Sequence, residues 1–152
     1  MRNNRWIEQR AASLAHVFMT RDPRVTVLSQ DYSDTGLDLL IRVGTSPRQV
    51  DWIAGVAVTG VEQPPALEHC LKLTDRQNVA LEASRHPAFL LVVDVRKELV
   101  HFSWIRRPAV ESSDCTIPTC VCLEPLDNAL FKAHIDQIRN YYKKLPAATS
   151  IA

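Results

Sequence analysis

Apolar residues recur every three or four positions in two long segments, and this spacing predicts amphipathic helices over residues 4–19 and 128–144. Pro23 ends the first helix because proline has no backbone N–H. Asp127 is placed to cap the last helix. The first helix would bury Ile7, Ala11, Leu14, Ala15 and Phe18. The last would bury Phe131, Ile135, Ile138, Tyr142 and Leu145.

Short runs of apolar and β-branched residues between these helices predict strands over residues 25–28, 37–43, 52–61, 88–95, 99–105 and 120–123. Residues 52–61 are apolar almost throughout, which is typical of a strand in the middle of a sheet. A further helix is predicted over residues 74–85, with Thr74 as its cap and Val79 and Leu81 facing inward. In the second strand, the period of two places Leu37, Leu39, Ile41 and Val43 on one face and Asp38, Leu40 and Arg42 on the other.

The order of elements is therefore helix, three strands, helix, two strands, helix (αβββαββα). Helices that alternate with strands in this way predict an α/β fold of three layers, with a mixed central sheet flanked by helices. The length of 152 residues fits one domain. We expect that domain to cover residues 1–146 and the small, polar residues 147–152 to form a disordered tail.

Composition and charge narrow the function classes. The formal net charge is +1, which argues against a protein that coats DNA, so any nucleic-acid surface would be local. The first residues lack the apolar stretch of a signal peptide, and no apolar run approaches the about 20 residues of a membrane span. We expect a cytoplasmic protein without a membrane partner. Its four cysteines are too few and too irregularly spaced for a disulfide scaffold, which predicts free thiols.

Three local patterns stand in a recognisable order. Glu8 lies on the first helix, Asp38 lies just inside a strand after Gly36, and residues 55–60 form a buried apolar strand. Together with the downstream elements, these patterns resemble the PD-(D/E)XK, or restriction-endonuclease-like, nuclease superfamily, and in particular a branch of small prokaryotic domains of unknown function. The likeness spans about residues 5–143. It implies a restriction-endonuclease-like fold and a link to prokaryotic defence or mobile-element systems.

That resemblance implies a metal-dependent phosphodiesterase chemistry. Carboxylates on neighbouring elements would hold Mg²⁺ or Mn²⁺, hard cations that prefer oxygen ligands, and the metal would activate a water against a phosphate. Glu8 and Asp38 match two carboxylate positions and are the metal ligands that the resemblance implies. The charged catalytic pair of the family falls on Ala57 and Thr59, and neither side chain replaces an ammonium group. The resemblance therefore implies a degenerate nuclease that acts as a nucleic-acid or protein binding module.

A displaced cation is the alternative that keeps catalysis. Lys72 or Arg76 would then supply the missing positive charge, and Glu8, Asp38 and Lys72 would form the catalytic set. The residues also allow simpler interpretations: Glu8 is solvated on its helix, Asp38 closes a turn or pairs with Arg42, and Asp94 is a turn residue.

The sequence supports either DNA or a protein as the partner. Arg5, Arg10, Arg42 and Arg76 would bind phosphates if they converge around Asp38. A third function is a pure interaction subunit, in which the edge near Cys120 or the end of the last helix contacts a protein partner or a second copy of the chain. A zinc site that includes Cys120 and Cys122 is a weaker interpretation, because the usual Cys-x-x-Cys spacing is absent.

Overall fold

The computed structural model describes residues 2–30, 37–44, 46, 52–71, 73–83, 86–108 and 117–145, with the side chains of residues 2–4, 29–30, 76, 80 and 83 outside the description. The predicted tail, residues 147–152, lies outside these ranges. The elements are α1 (Arg2–Thr20), β1 (Val25–Gln30), β2 (Leu39–Val43), β3 (Ile53–Val61), β4 (Glu68–Cys70), α2 (Asp75–Ala83), β5 (Ala88–Asp94), β6 (Leu99–Arg106), β7 (Cys120–Cys122), β8 (Glu124–Leu126) and α3 (Asn128–Lys144).

The fold is α/β, with a mixed sheet of six strands in the order β1-β2-β3-β5-β6-β8. The first three strands form an antiparallel meander, β3 and β5 run parallel, and β6 returns antiparallel beside β5. The prediction that β3 is central is confirmed, since it pairs with β2 on one side and with β5 on the other. A separate two-stranded sheet pairs β4 with β7. Neither β4 nor β8 was predicted, because their sequences, Glu-His-Cys and Glu-Pro-Leu, are not runs of apolar or β-branched residues.

Helices α1 and α3 cover one face of the large sheet, as their apolar stripes predict. The N-cap of α3 is Asp127, whose carboxylate accepts a hydrogen bond of 2.7 Å from the amide of Leu130, as predicted. Buried side chains of both helices belong to one cluster with residues of β3 and β5, which defines the first face of the sheet. Buried residues there include Ile7, Ala11, Ala15, Met19, Val56, Phe89, Leu91, Phe131, Ile135 and Ile138.

Helix α2 and the small sheet cover the second face, around a smaller apolar cluster. Thr74 and Gln77 form a capping box at the start of α2: each backbone amide donates to the other residue's side-chain oxygen, at 2.9 and 3.1 Å. Leu81 is buried as predicted, whereas Val79 is 65% exposed, so its predicted inward orientation is wrong. The second-face cluster consists of Leu37, Ala57, Leu81, Ala88, Leu90, Val92, Ile105, Val121 and Leu123.

The position of Leu37 corrects the predicted alternation of the second strand. Leu39 and Ile41 lie in the first-face core as expected, but Leu37 packs in the second-face cluster. The reason is that β2 begins only at Leu39, so strict alternation does not extend back to residue 37.

Helix α1 packs very close to the backbone of β3 at Gly60. A Cβ atom at this position would lie 2.6 Å from Cγ2 of Ile7, 2.8 Å from the carbonyl oxygen of Ile7 and 2.9 Å from Cβ of Ala11. Only glycine permits this approach. At the other side of α1, Arg10 donates to the carbonyl of Val95 at 3.2 Å, so the helix is held both at β3 and at the turn after β5.

Asp94 is buried at the end of β5, and its carboxylate accepts hydrogen bonds from the amides of Arg96 and Lys97 at 3.0 and 3.1 Å. It therefore shapes the β5–β6 turn, which confirms the interpretation of Asp94 as a turn residue. No helix among the described residues is long and apolar enough to cross a membrane.

Candidate functional site

Asp38 lies just before β2, and its position depends on the pairing of β2 with β3. Strand β2 begins at Leu39, which pairs with Val56 of β3. Val58 therefore lies two residues beyond the end of the β2–β3 ladder. The Oδ2 atom of Asp38 accepts a hydrogen bond of 2.7 Å from that amide. The half-buried carboxylate thus takes the place of the backbone carbonyl that a longer β2 would have offered to this amide. In this way a side chain continues the pairing of the two strands.

Glu8 lies elsewhere, on the exposed side of α1, next to the buried Ile7. Helix α1 packs on the first face of the sheet. The resemblance places a charged pair at Ala57 and Thr59 of β3, and these side chains face the opposite side of the sheet. Ala57 is 6% exposed within the second-face cluster. Alternation along the strand places the half-buried Thr59 on the same side. Helix α1 and the side chains of these β3 residues are thus separated by the sheet.

The metal site that the resemblance implies would rest on the carboxylates of Glu8 and Asp38. Asp38 already uses one oxygen on the Val58 amide. Among these residues, no three His, Cys, Asp or Glu side chains lie close enough together to hold an ion. Lys72 lies outside the described residues, and the side chain of Arg76 is likewise not described.

The predicted arginine set is distributed over both faces. Arg5 is exposed on α1. Arg10, on the same helix, forms an ion pair of 2.9 Å with Glu98 in addition to its bond with Val95. Arg42 lies on β2, on the face opposite the first-face core, and its guanidinium donates to the carbonyl of Ser46. The structure does not bring Arg42 together with the α1 arginines.

An open cleft of about 440 Å³ lies at the carboxyl end of β3, beside α1. Strands β3 and β5 end together there, joined by a hydrogen bond of 2.9 Å from the amide of Val95 to the carbonyl of Val61. In open α/β sheets, ligands commonly bind at the carboxyl ends of parallel strands. The lining residues are Ile7, Gly60, Val61, Glu62, Gln63, Pro64, Pro65, Ala66 and His69.

The chemistry of this cleft is apolar with a few polar groups. Its side chains include one carboxylate, one amide and one imidazole, from Glu62, Gln63 and His69, and no lysine or arginine is among the described residues that line it. The nearest described cation to Glu62 is Arg96, at 3.9 Å and 70% exposed. No pattern in the sequence singled out this cleft. A crossover between two apolar strands was the signal that could have located it.

No protein-family model, no curated protein and no solved structure matches the chain.

Proposed function

We propose that the chain is a non-catalytic domain of restriction-endonuclease-like architecture that binds a protein segment in the cleft at the carboxyl end of β3. The link to prokaryotic defence or mobile-element systems belongs to this proposal and rests on the resemblance alone. The observation that carries the proposal is the environment of β3. Ala57 is packed among apolar side chains, and the carboxylate of Asp38 is bonded to a backbone amide of the same strand.

The order of elements supports the architecture. An antiparallel meander is followed by a helical crossover to a parallel strand, with α1 on one face and α2 on the other. The order αβββαββα agrees with this arrangement once β4, β7 and β8 are set aside as short additions.

The cleft supports a protein ligand over a nucleic acid. A phosphate-binding groove needs cations that face the backbone of the nucleic acid. The described lining of this cleft contains none, while its prolines, Ile7 and Val61 offer apolar surface and Gln63 offers both a donor and an acceptor. Leu67, which directly follows the lining residue Ala66, is 73% exposed and extends that apolar surface.

A cleavage assay tests the loss of catalysis. Plasmid, duplex and single-stranded DNA are incubated with Mg²⁺ or Mn²⁺ and with wild-type protein or Asp38→Asn. We expect no cutting by either protein. Cutting by the wild type that disappears in Asp38→Asn would overturn the proposal and establish the alternative, a metal-dependent endonuclease with a displaced lysine.

A peptide-display selection tests the ligand class, with one variant in the cleft and one outside it. Ala66→Trp fills the cleft from an exposed position, and Ala133→Trp adds the same indole on the exposed side of α3. Peptides selected on the wild type should bind Ala133→Trp equally and Ala66→Trp at least about tenfold more weakly, a loss of about 1.4 kcal/mol. Selected peptides that do not distinguish the two variants, or a salt-dependent affinity for DNA in place of peptides, would contradict the proposal.

A further inference from the structure

Two cysteines face each other across the small sheet. Cys70 of β4 lies directly opposite Cys120 of β7 in the antiparallel register. The neighbouring pair carries a hydrogen bond of 2.8 Å, from the amide of Leu71 to the carbonyl of Thr119. Because hydrogen-bonded and non-hydrogen-bonded pairs alternate along an antiparallel ladder, the two cysteines form a non-hydrogen-bonded pair, in which Cα atoms lie about 4.5 Å apart. A disulfide spans that separation.

The two sulfur atoms are close enough to react with each other. Their Sγ atoms lie 2.7 Å apart, compared with about 2.05 Å in a disulfide bond, so small side-chain rotations would close the gap. Both residues are free thiols, and both can be reached from solvent, since Cys70 is exposed and Cys120 is half-buried. The contact with Cys70 raises the pKa of the Cys120 thiol.

We propose that Cys70 and Cys120 are a redox-active pair that a low-molecular-weight disulfide, of the glutathione type, converts reversibly into a cross-strand disulfide. The pair is separate from the peptide-binding function proposed above and does not depend on it. The feature that carries the inference is the alignment of two accessible thiols at one register position of a sheet that has only three residue pairs.

The reaction is two successive thiol–disulfide exchanges. The thiolate of the exposed Cys70 attacks one sulfur of the oxidant, forms a mixed disulfide and releases one small thiolate. Cys120 then loses its proton to solvent and attacks the Cys70 sulfur, which releases the second small thiolate. The protein loses two protons and two electrons in total, and the oxidant takes them up to become two small thiols. An excess of the reduced thiol reverses both steps.

Cys122 supplies a matched control on the same strand. It is exposed and lies two residues from Cys120, opposite Glu68. Alternation places both cysteines of β7 on one side of the strand, but neighbours along one strand are held apart by the extended backbone. Cys122 therefore has no cysteine across the ladder from it, although it matches Cys120 in chemistry and in strand.

The disulfide would act on the segment that leads to the cleft. Cys70 and Cys120 are 50 positions apart, so their bond closes a long loop and holds β4 against β7. Residues of the cleft lining, including Glu62 and His69, precede or belong to β4. Oxidation should therefore restrain the cleft-lining segment, and reduction should release it.

Titration of the purified full chain with mixtures of reduced and oxidised glutathione tests the proposal. Remaining thiols are alkylated at each point, and intact mass and peptide mapping identify the bonds. We expect a product that carries two fewer alkyl groups than the reduced chain and contains a Cys70–Cys120 cross-link, in the wild type and in the double variant Cys115→Ser/Cys122→Ser. Oxidation should raise the Tm of both proteins, and excess reduced glutathione should restore the original mass and Tm.

The single variants Cys70→Ser and Cys120→Ser should instead stop at a glutathione adduct and gain no Tm, whereas Cys122→Ser should behave as the wild type. Three results would overturn the proposal: stable glutathione adducts at both positions in the wild type, a dominant cross-link that involves Cys115 or Cys122, or no reaction of the double variant. Circular dichroism of each reduced variant identifies any that fails to fold.

Discussion

The carboxylate of Asp38 accepts a hydrogen bond of 2.7 Å from the backbone amide of Val58. This bond joins the residue before β2 to the middle of β3, and it gives Asp38 a structural role that needs no metal. The partly buried amide requires an acceptor, and leaving a buried donor unsatisfied costs about 1–3 kcal/mol.

Two substitutions of Asp38 separate the roles of its oxygen and its charge. Asp38→Ala removes the acceptor and should lower the free energy of unfolding by about 1–3 kcal/mol. Asp38→Asn keeps a carbonyl oxygen and should cost less than about 1 kcal/mol, since a neutral acceptor replaces a charged one. Urea denaturation measures both values. Equal losses in the two variants would show that the charge, and not the hydrogen bond, is what the fold uses.

Gly60 should not tolerate even a methyl group. Gly60→Ala places a carbon 2.8 Å from the carbonyl oxygen of Ile7 and should destabilise the protein by about 1–3 kcal/mol through overpacking. Truncation of the neighbour should not rescue it, because Ile7→Ala removes Cγ2 but leaves the backbone oxygen in place. In thermal unfolding, the double variant should therefore be no more stable than Ile7→Ala alone. A double variant with a higher Tm than Ile7→Ala would show that α1 can shift away from β3.

The ion pair between Asp22 and Arg24 should make the protein less stable in acid. The guanidinium of Arg24 donates to both oxygens of Asp22, at 3.0 and 2.8 Å, and it lowers the pKa of this buried carboxyl group below the ordinary value. A folded-state pKa below that of the unfolded chain stabilises the protein above the unfolded value of about 3.9. That contribution is lost as the pH falls through the folded-state pKa. Below about pH 4, wild-type stability should thus fall more steeply than that of Asp22→Asn.

The same arginine also pairs with Asp136 of α3, which gives an internal comparison at neutral pH. Asp22 is 6% exposed at its side chain and Asp136 is 55% exposed. Asp22→Asn should lower the free energy of unfolding by about 2 kcal/mol, since it weakens charge-assisted bonds within a buried site. Asp136→Asn should cost less than about 1 kcal/mol, as is usual for an exposed pair. The reverse order would mean that the contact with α3 is the important one.

Lysine should destabilise the protein much more at position 57 of β3 than at position 59. Ala57→Lys forces an ammonium group among the apolar side chains of the second face and should cost several kcal/mol. Thr59 is only half-buried, so Thr59→Lys can direct its charge to solvent and should cost less than about 1 kcal/mol. Thermal unfolding of both variants checks this difference, and similar Tm values for the two would show that the second face is open at Ala57.

The sequence predicted the helices and the long strands because their apolar residues repeat with a clear period. The stripe of Ile7, Ala11 and Ala15, the cap at Asp127 and the central position of β3 all follow from local patterns. The strands β4 and β8 were missed because their polar and proline residues do not form an apolar or β-branched run. The packing of Leu37 on the second face depends on where β2 begins, which only the pairing with β3 determines.

The candidate site was less predictable, since it depends on register. Asp38 was singled out from its position in the sequence, but its bond with Val58 follows from a pairing that ends at Leu39. The proximity of Cys70 and Cys120 likewise needs the alignment of two short strands far apart in the chain. The cleft forms where β3 and β5 end side by side, and the residue types in its lining do not indicate a binding site in the sequence.

The burial of Ala57 also bears on evolution. A charged residue at this position would have to be accommodated among Leu90 and Val92 before it could contribute to any reaction, and an unpaired buried charge costs several kcal/mol. That loss is a large fraction of the 5–15 kcal/mol by which domains are typically stable. A single substitution of Ala57 by a charged residue would thus be selected against as a folding defect, whatever reaction the new charge could assist.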